Sequence, residues 1–276
     1  MLGRAAKVVG WTLLLTATAG APLYPTAANW ASSRAQVGDL VEHARLVESA
    51  KADDLQRLLD QATQYNSHLA RFGVEDPTLD YAGLLRLSSS DVLAMLEIPA
   101  INVRQAVYRG ATAETLSRGA GHQRGTSLPI GGLGTHAVIS AHAGVSDLRG
   151  FTDLPRLVIG DTFTLTTLGE ALQYQVFAIE VVEPGWYDTH PIIVDGQDLV
   201  TLVTCTPTGV NTHRLLVHGT RLPHPDQASL PSSQLGEPLT AGFPWWAAVV
   251  TATFCFGLWT GCRMFGRRPP VQGGRP

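Results

Sequence analysis

Cys205 is the residue of this chain whose surroundings best suit a nucleophile. It closes the β-prone run Thr201-Leu202-Val203-Thr204 and stands just before Thr206-Pro207-Thr208-Gly209, where a turn is expected, so the thiol belongs at the mouth of a strand. Past the turn, Arg214-Leu215-Leu216-Val217-His218 alternates, which puts Arg214, Leu216 and His218 on one face and Leu215 and Val217 on the other. A hairpin across this loop would bring Arg214 next to Cys205. Upstream, His136-Ala137-Val138-Ile139-Ser140-Ala141-His142 has the same strand character and meets Ala143-Gly144, where a strand should end. The chemistry open to such a trio is nucleophilic acyl transfer. A thiol attacks as thiolate, and a nearby imidazole and guanidinium supply the positive potential that favours the anion. The guanidinium stays charged at any working pH and can donate to a developing oxyanion.

Spacing by itself leaves other readings open, because the chain has nine histidines and sets of Cys, His and Arg arise by chance. His136 and His142 on one strand face, joined by Cys205, could hold zinc, although paired cysteines or closely spaced ligand motifs are missing. Cys205 could also be an inert buried thiol in a surface adhesin or scaffold.

The elements that must position these residues are short β-type runs separated by glycine and proline: 95–98, 106–108, 136–139, 162–167, 174–181, 199–204 and 214–218. Many short strands without long intervening helices predict a mainly β fold, a closed or nearly closed barrel. Before the barrel, Ser33 to about Phe72 carries Val37, Leu40, Val41, Ala44 and Val47, then Leu55, Leu58, Leu59 and Ala62, at helical spacing: an amphipathic arm that packs on the β domain C-terminal to it. The N-terminus has Arg4 and Lys7, an apolar stretch from Val8 to Tyr24 and small residues at Ala17, Thr18 and Ala19, the pattern of a secretion signal or an uncleaved anchor.

From Leu239 to Cys262 no charged residue occurs, and Trp245, Trp246 and Trp259 sit towards the ends of the stretch, which is long enough to cross an apolar layer of roughly 30 Å. Arg263, Arg267, Arg268 and Arg275 follow, so the tail is expected in the cytoplasm and the preceding domain outside, with the protein held at the cell membrane. Cys255 and Cys262 lie in the span, which leaves Cys205 alone in the external domain with no disulfide partner in its own chain. The formal net charge of −3 argues against a nucleic-acid partner.

The text around the trio is more specific than its spacing. The run from Thr201 to Cys205 (TLVTC) resembles the sortase active-site strand, and Cys205 to Val217 (CTPTGVNTHRLLV) looks like that of the class C, pilus-assembling sortases of Gram-positive bacteria. The block from Gly121 to Gly132 (GHQRGTSLPIGG), then Thr135 to His142 (THAVISAH), is similar to the same family's histidine region, and the resemblance covers roughly Asp76 to Arg221. It implies a sortase-type barrel with His142, Cys205 and Arg214 as catalytic residues, while His136 matches a position that is not the catalytic one.

The implied reaction is attack by Cys205 on the Thr-Gly bond of a Leu-Pro-any-Thr-Gly (LPXTG)-like sorting signal, giving a thioacyl enzyme that a lysine amine of another pilin subunit resolves. The implied partners are pilin subunits and the cell membrane, with no cofactor or metal. The family's lid, Asp-Pro followed by an aromatic residue, falls on Asp76, Pro77 and Thr78, and a threonine cannot fill the cleft as a ring does, so a weaker or displaced lid is expected. Ala143 stands where many members have arginine, which bears on the rim of the cleft. A housekeeping sortase that uses a peptidoglycan amine and a membrane-anchored cysteine protease are the enzyme alternatives. The expected organisation is a signal peptide or anchor at 1–30, helical arm at 31–75, lid and connection at 76–90, barrel at 91–221, Pro/Ser-rich linker at 222–239, transmembrane helix at 240–262 and basic cytoplasmic tail at 263–276.

Overall fold

The computed structural model describes residues 2–88, 90–144, 150–185, 196–223 and 243–265. Most of the expected linker and basic tail, with Arg267, Arg268 and Arg275, lies outside them. The chain divides into two compact units, residues 32–241 and residues 1–31 with 242–276.

The larger unit holds a closed barrel of eight strands: β1 (Val92–Ile98), β2 (Val103–Arg109), β3 (Ala120–His122), β4 (Thr135–Ser140), β5 (Thr162–Thr167), β6 (Glu170–Val182), β7 (Asp198–Thr206) and β8 (His213–Arg221). They are hydrogen-bonded in the order β1-β2-β3-β4-β7-β8-β6-β5, and β5 closes back on β1. β2 with β3 and β4 with β7 run parallel; the other pairs are antiparallel. Each expected β-run lies in a strand. β3 was not anticipated, because three residues that include Gly121 carry no period and are a strand only through their neighbours β2 and β4.

Alternation sorts side chains between the barrel interior and its outer face. Ala137 and Ile139 of β4, Val200 and Leu202 of β7 and Leu215 and Val217 of β8 join Phe151, Phe163 and Tyr174 in the main core. The intervening residues Val138, Val203 and Leu216 form a separate buried cluster with Val182. Cys205 shares the parity of Val203, and Arg214 that of Leu216, so both belong to this second face.

The arm is two helices, α2 (Tyr24–Ser49) and α3 (Ala52–Phe72), preceded by α1 (Leu2–Gly20). The break falls at Lys51, whose extended backbone starts α3; Asp53 and Asp54 in its first turn complement the helix dipole, and Gly73, in the left-handed region, ends it. In α3 the expected stripe packs as read, with Ala62, Tyr65 and Leu69 against Tyr81, Leu84, Leu85 and Leu128. In α2 the buried face is Gln36, Leu40 and His43, while Val41 is exposed. Leu40 packs with Val92, Met95, Ala106 and Tyr108, and polar contacts that apolar periodicity does not register add to it: Tyr108 donates to Asp39 Oδ2 at 2.6 Å, and His43 Nδ1 meets Ser90 Oγ at 3.1 Å. A short helix α4 (Ala113–Arg118), capped by Thr112, connects β2 to β3.

The smaller unit contains α1 and α5 (Trp245–Phe265). Among the described residues, α5 is the one helix long and apolar enough to cross a membrane.

Candidate active site

The parallel pair β4 and β7 keeps its register from Thr135 opposite Asp198 to Ser140 opposite Val203. One residue further on, the Ala141 N–H donates to the Val203 carbonyl at 3.1 Å and the Thr204 hydroxyl donates to the Ala141 carbonyl at 2.8 Å. The strands are therefore still clamped together at the residues immediately before His142 and Cys205. On the other side of β7, the antiparallel register sets Cys205 opposite Arg214 and Thr206 opposite His213. The fold thus brings the ends of β4, β7 and the start of β8 to one rim of the barrel, and with them all three chemically suited residues.

Cys205, His142 and Arg214 are each half-buried. The Phe151 N–H donates to the His142 carbonyl at 2.8 Å. Gly150, at φ +44°, makes this possible, since any Cβ there would run into that carbonyl. Across the rim, Val210 and Asn211 N–H groups both donate to the Pro207 carbonyl, at 3.0 and 2.9 Å, tightening the loop between β7 and β8. Arg214 Nη1 donates to the Asn211 and His213 carbonyls at 3.4 and 3.2 Å, long bonds that anchor the guanidinium to its own loop and leave other donors for a ligand. No hydrogen bond directly joins the three side chains to one another among the described residues.

His136 goes elsewhere. Its Nε2 lies 2.6 Å from Thr201 Oγ1, which in turn lies 2.8 Å from His218 Nδ1, so the two imidazoles share one hydroxyl on the outer face. Burial lowers the pKa of His218, opposed by the charge of Glu180. The pairing at His136 gives the zinc reading no geometric support, because the ring is turned to Thr201 rather than gathered with His142 and Cys205.

Asp76 and Thr78 form a turn of their own. The Thr78 N–H and hydroxyl both donate to Asp76 Oδ1, at 2.8 and 2.6 Å. The hydroxyl contact above all holds the carboxyl below the usual range. Among the described residues Asp76 makes no ion pair with Arg214. The neighbouring Glu75 is gripped by both Nε and Nη2 of Arg124, at 3.0 and 2.8 Å, and accepts from Tyr65 at 3.3 Å.

Sequence reasoning missed a buried clasp between the connection and the barrel. His122 Nε2 donates to the Ser127 carbonyl at 2.8 Å, which makes Nδ1 the acceptor for the Tyr81 hydroxyl, also 2.8 Å away. Enclosure pushes the imidazole pKa down to about 4. Thr204 was missed too, although its parity, opposite to that of Cys205, already marked it as facing inward.

A sortase domain model matches residues 96–222, from within β1 to just past β8 and so with all three rim residues. Among solved structures, the chain is similar to Clostridium perfringens sortase C determined with a C-terminal cell wall sorting motif, at 38% identity and a TM-score of 0.62, covering 68% of this chain and 100% of that one. It is likewise similar to a pilus-related sortase C of Group B Streptococcus, at 39% identity and a TM-score of 0.60, covering 66% and 96%. The chain belongs to the sortase family. A more distant likeness joins this sortase to sortase A of Bacillus anthracis, 24% identical over 164 residues, 58% of this chain and 75% of that protein. Membership makes the chain, in general terms, a cysteine transpeptidase, and its structural likenesses lie with the pilus-related class C branch.

Proposed function

We propose that this sortase cleaves an LPXTG-like sorting signal between Thr and Gly and transfers the acyl group to a lysine amine of another pilin subunit, building a pilus polymer outside the cell. The observation that carries the reading is the register that sets Cys205 opposite Arg214 while the Thr204 to Ala141 clamp brings the end of β4, and so His142, alongside. In this reading the Cys205 thiolate attacks the threonine carbonyl carbon and the oxyanion is met by the Arg214 guanidinium. The C–N bond breaks as His142 gives its proton to the glycine nitrogen, and the C-terminal fragment leaves. The neutral imidazole then takes a proton from the incoming ammonium group as the amine attacks the thioester, and the Cys205 thiolate is released. The cycle is redox-neutral and its proton account closes.

Supporting this branch of the family are the likenesses to sortase C structures and the apolar helix α5, which we read as a membrane span with the barrel outside and the basic tail inside. The segment Asp76-Pro77-Thr78 is read as a lid of reduced grip, since the Asp76 carboxylate is engaged by Thr78 and no aromatic ring follows Pro77. The test is mass spectrometry of the protein with an LPXTG peptide, with and without a lysine-bearing acceptor. An adduct on Cys205 that passes to the amine, and is absent in Cys205→Ala, is the expected result. An adduct resolved by water alone, with the acceptor present, would instead make the protein a protease.

A further inference from the structure

The two chain segments that carry His142 and Cys205 touch twice, once on each side of that pair. The first contact is the clamp of Ala141 on Val203 and Thr204. The second lies past the pair, where Gly144 meets Thr208 of the loop between β7 and β8. A Cβ added at Gly144 would overlap Thr208 Cγ2, and would lie 3.4 Å from the Gly209 nitrogen and 3.7 Å from Thr208 Cβ. Gly144 also has φ +70°, so its backbone conformation and the methyl group seated on it both call for a residue without a side chain.

Both partners are braced. The Gly144 N–H donates to Thr152 Oγ1 at 3.0 Å, and Thr152 follows Phe151, which is fully buried in the main core. Ala143, between His142 and Gly144, is buried. Across the rim, Thr208 sits inside the turn closed by the Val210 and Asn211 N–H groups on the Pro207 carbonyl. The chain between the two contacts is short: only His142 and Ala143 separate Ala141 from Gly144, and only Cys205, Thr206 and Pro207 separate Thr204 from Thr208. A strand end held at one point can swing, whereas one held at two keeps its side chain at a set distance from its neighbour. The part of Thr208 that makes the contact is its methyl group, and among the described residues its hydroxyl has no hydrogen-bond partner.

We propose that Thr208 is a positioning residue for acyl transfer: its methyl group, seated on Gly144, holds the His142 segment at the separation from Cys205 that proton transfer to the departing nitrogen requires. General acid catalysis needs hydrogen-bond reach between the acid and the leaving group, and a brace on the far side of His142 maintains it. Loss of the brace therefore falls on substrates whose leaving group must be protonated. The inference rests on the roles proposed above for Cys205 and His142.

The test follows acylation of Cys205 in the full chain by mass spectrometry. Two acyl donors are compared, an LPXTG peptide and the same peptide with a thioester at the threonine carbonyl, whose thiolate departs without a proton. Thr208→Ser removes the methyl and keeps the hydroxyl; it is expected to slow the peptide reaction by roughly 10-fold and the thioester reaction by less than about 2-fold. Thr208→Val keeps the methyl and should stay close to wild type on both donors. Gly144→Ala combined with Thr208→Ser moves the methyl from one side of the contact to the other, 3.7 Å from Cβ of residue 208, and should react faster with the peptide than Gly144→Ala alone. Thr208 is exposed, so the Thr208 variants should share the wild-type Tm. Serine at the wild-type rate, serine and valine falling together, or peptide and thioester slowed alike would overturn the proposal. Failure of the catalytic reading shows differently, as no Cys205 adduct in wild type or as His142→Ala slowing both donors alike, and either result would take the proposal down with it.

Discussion

Replacing Thr204 by valine removes one hydroxyl with almost no change in shape, at a position 2% exposed and adjacent to Cys205. The hydroxyl is the donor, among the described residues, to the Ala141 carbonyl at 2.8 Å, just where the regular pairing of β4 with β7 has stopped. Ala141 is itself buried, so its carbonyl would be left without a partner at a cost of about 1–3 kcal/mol. The strand end can avoid that cost by drifting away from β7, and His142 moves with it. A displacement near 1 Å costs roughly 100-fold in a step that needs correct alignment, equivalent to about 2.7 kcal/mol of barrier. Thr204→Val should therefore lower kcat/KM for acyl transfer by about that factor, with a loss of stability of about 1–3 kcal/mol in urea unfolding. Thr204→Ser keeps the donor and should recover most of the activity, while giving up about 0.8 kcal/mol for the buried methyl. The assays are peptide transfer and urea titration of the three proteins side by side. Valine at wild-type kcat/KM, or serine and valine falling equally, would refute the clamp.

Arg214→Lys keeps the charge but loses the planar set of donors, and is expected to slow transfer by roughly 100- to 1,000-fold while Cys205 still reacts with a small alkylating reagent; unchanged transfer would remove Arg214 from the oxyanion role. Deleting residues 75–80 should speed Cys205 alkylation if this segment covers the rim, and an unchanged rate would end the lid reading. Gly150→Val should disorder the return of the chain onto the His142 carbonyl, seen as lost transfer activity and a lowered Tm, because φ +44° and the missing Cβ are both needed there. Acid should weaken the fold through His122: its pKa is about 4 when folded against an ordinary 6.5, so the unfolded chain takes up the proton first. That contribution is complete above pH about 6.5, falls as pH drops towards about 4, and amounts to roughly 3 kcal/mol at about 1.4 kcal/mol per pH unit. Urea midpoints of wild type and His122→Gln between pH 8 and 4 would show the steeper fall in wild type, and parallel curves would contradict it.

What the sequence determined was local in its physics. The alternation of Arg214 to His218, the β-prone run ending at Cys205 and the strand ending at His142 each come from period-two burial and a breaker residue, so each could be read within a few residues. The uncharged stretch ending at Cys262 is likewise a one-dimensional property and appears as the apolar helix α5. The tertiary structure decided whatever depends on partners far along the chain. The parallel pairing of β4 with β7 puts Ala141 under Thr204, 63 residues away, and no local pattern encodes that choice. β3 exists only because β2 and β4 flank it, and His122 became a buried neutral base only when Tyr81 closed on it from 41 residues upstream. On α2, Leu40 of the expected stripe is buried as read, but Gln36 and His43 are buried beside it while Val41 and Ala44 are exposed, in a helix where Asp39 accepts from the Tyr108 hydroxyl. Periodicity reports which faces are apolar; which face is used depends on the hydrogen bonds and contacts that the rest of the chain offers to it.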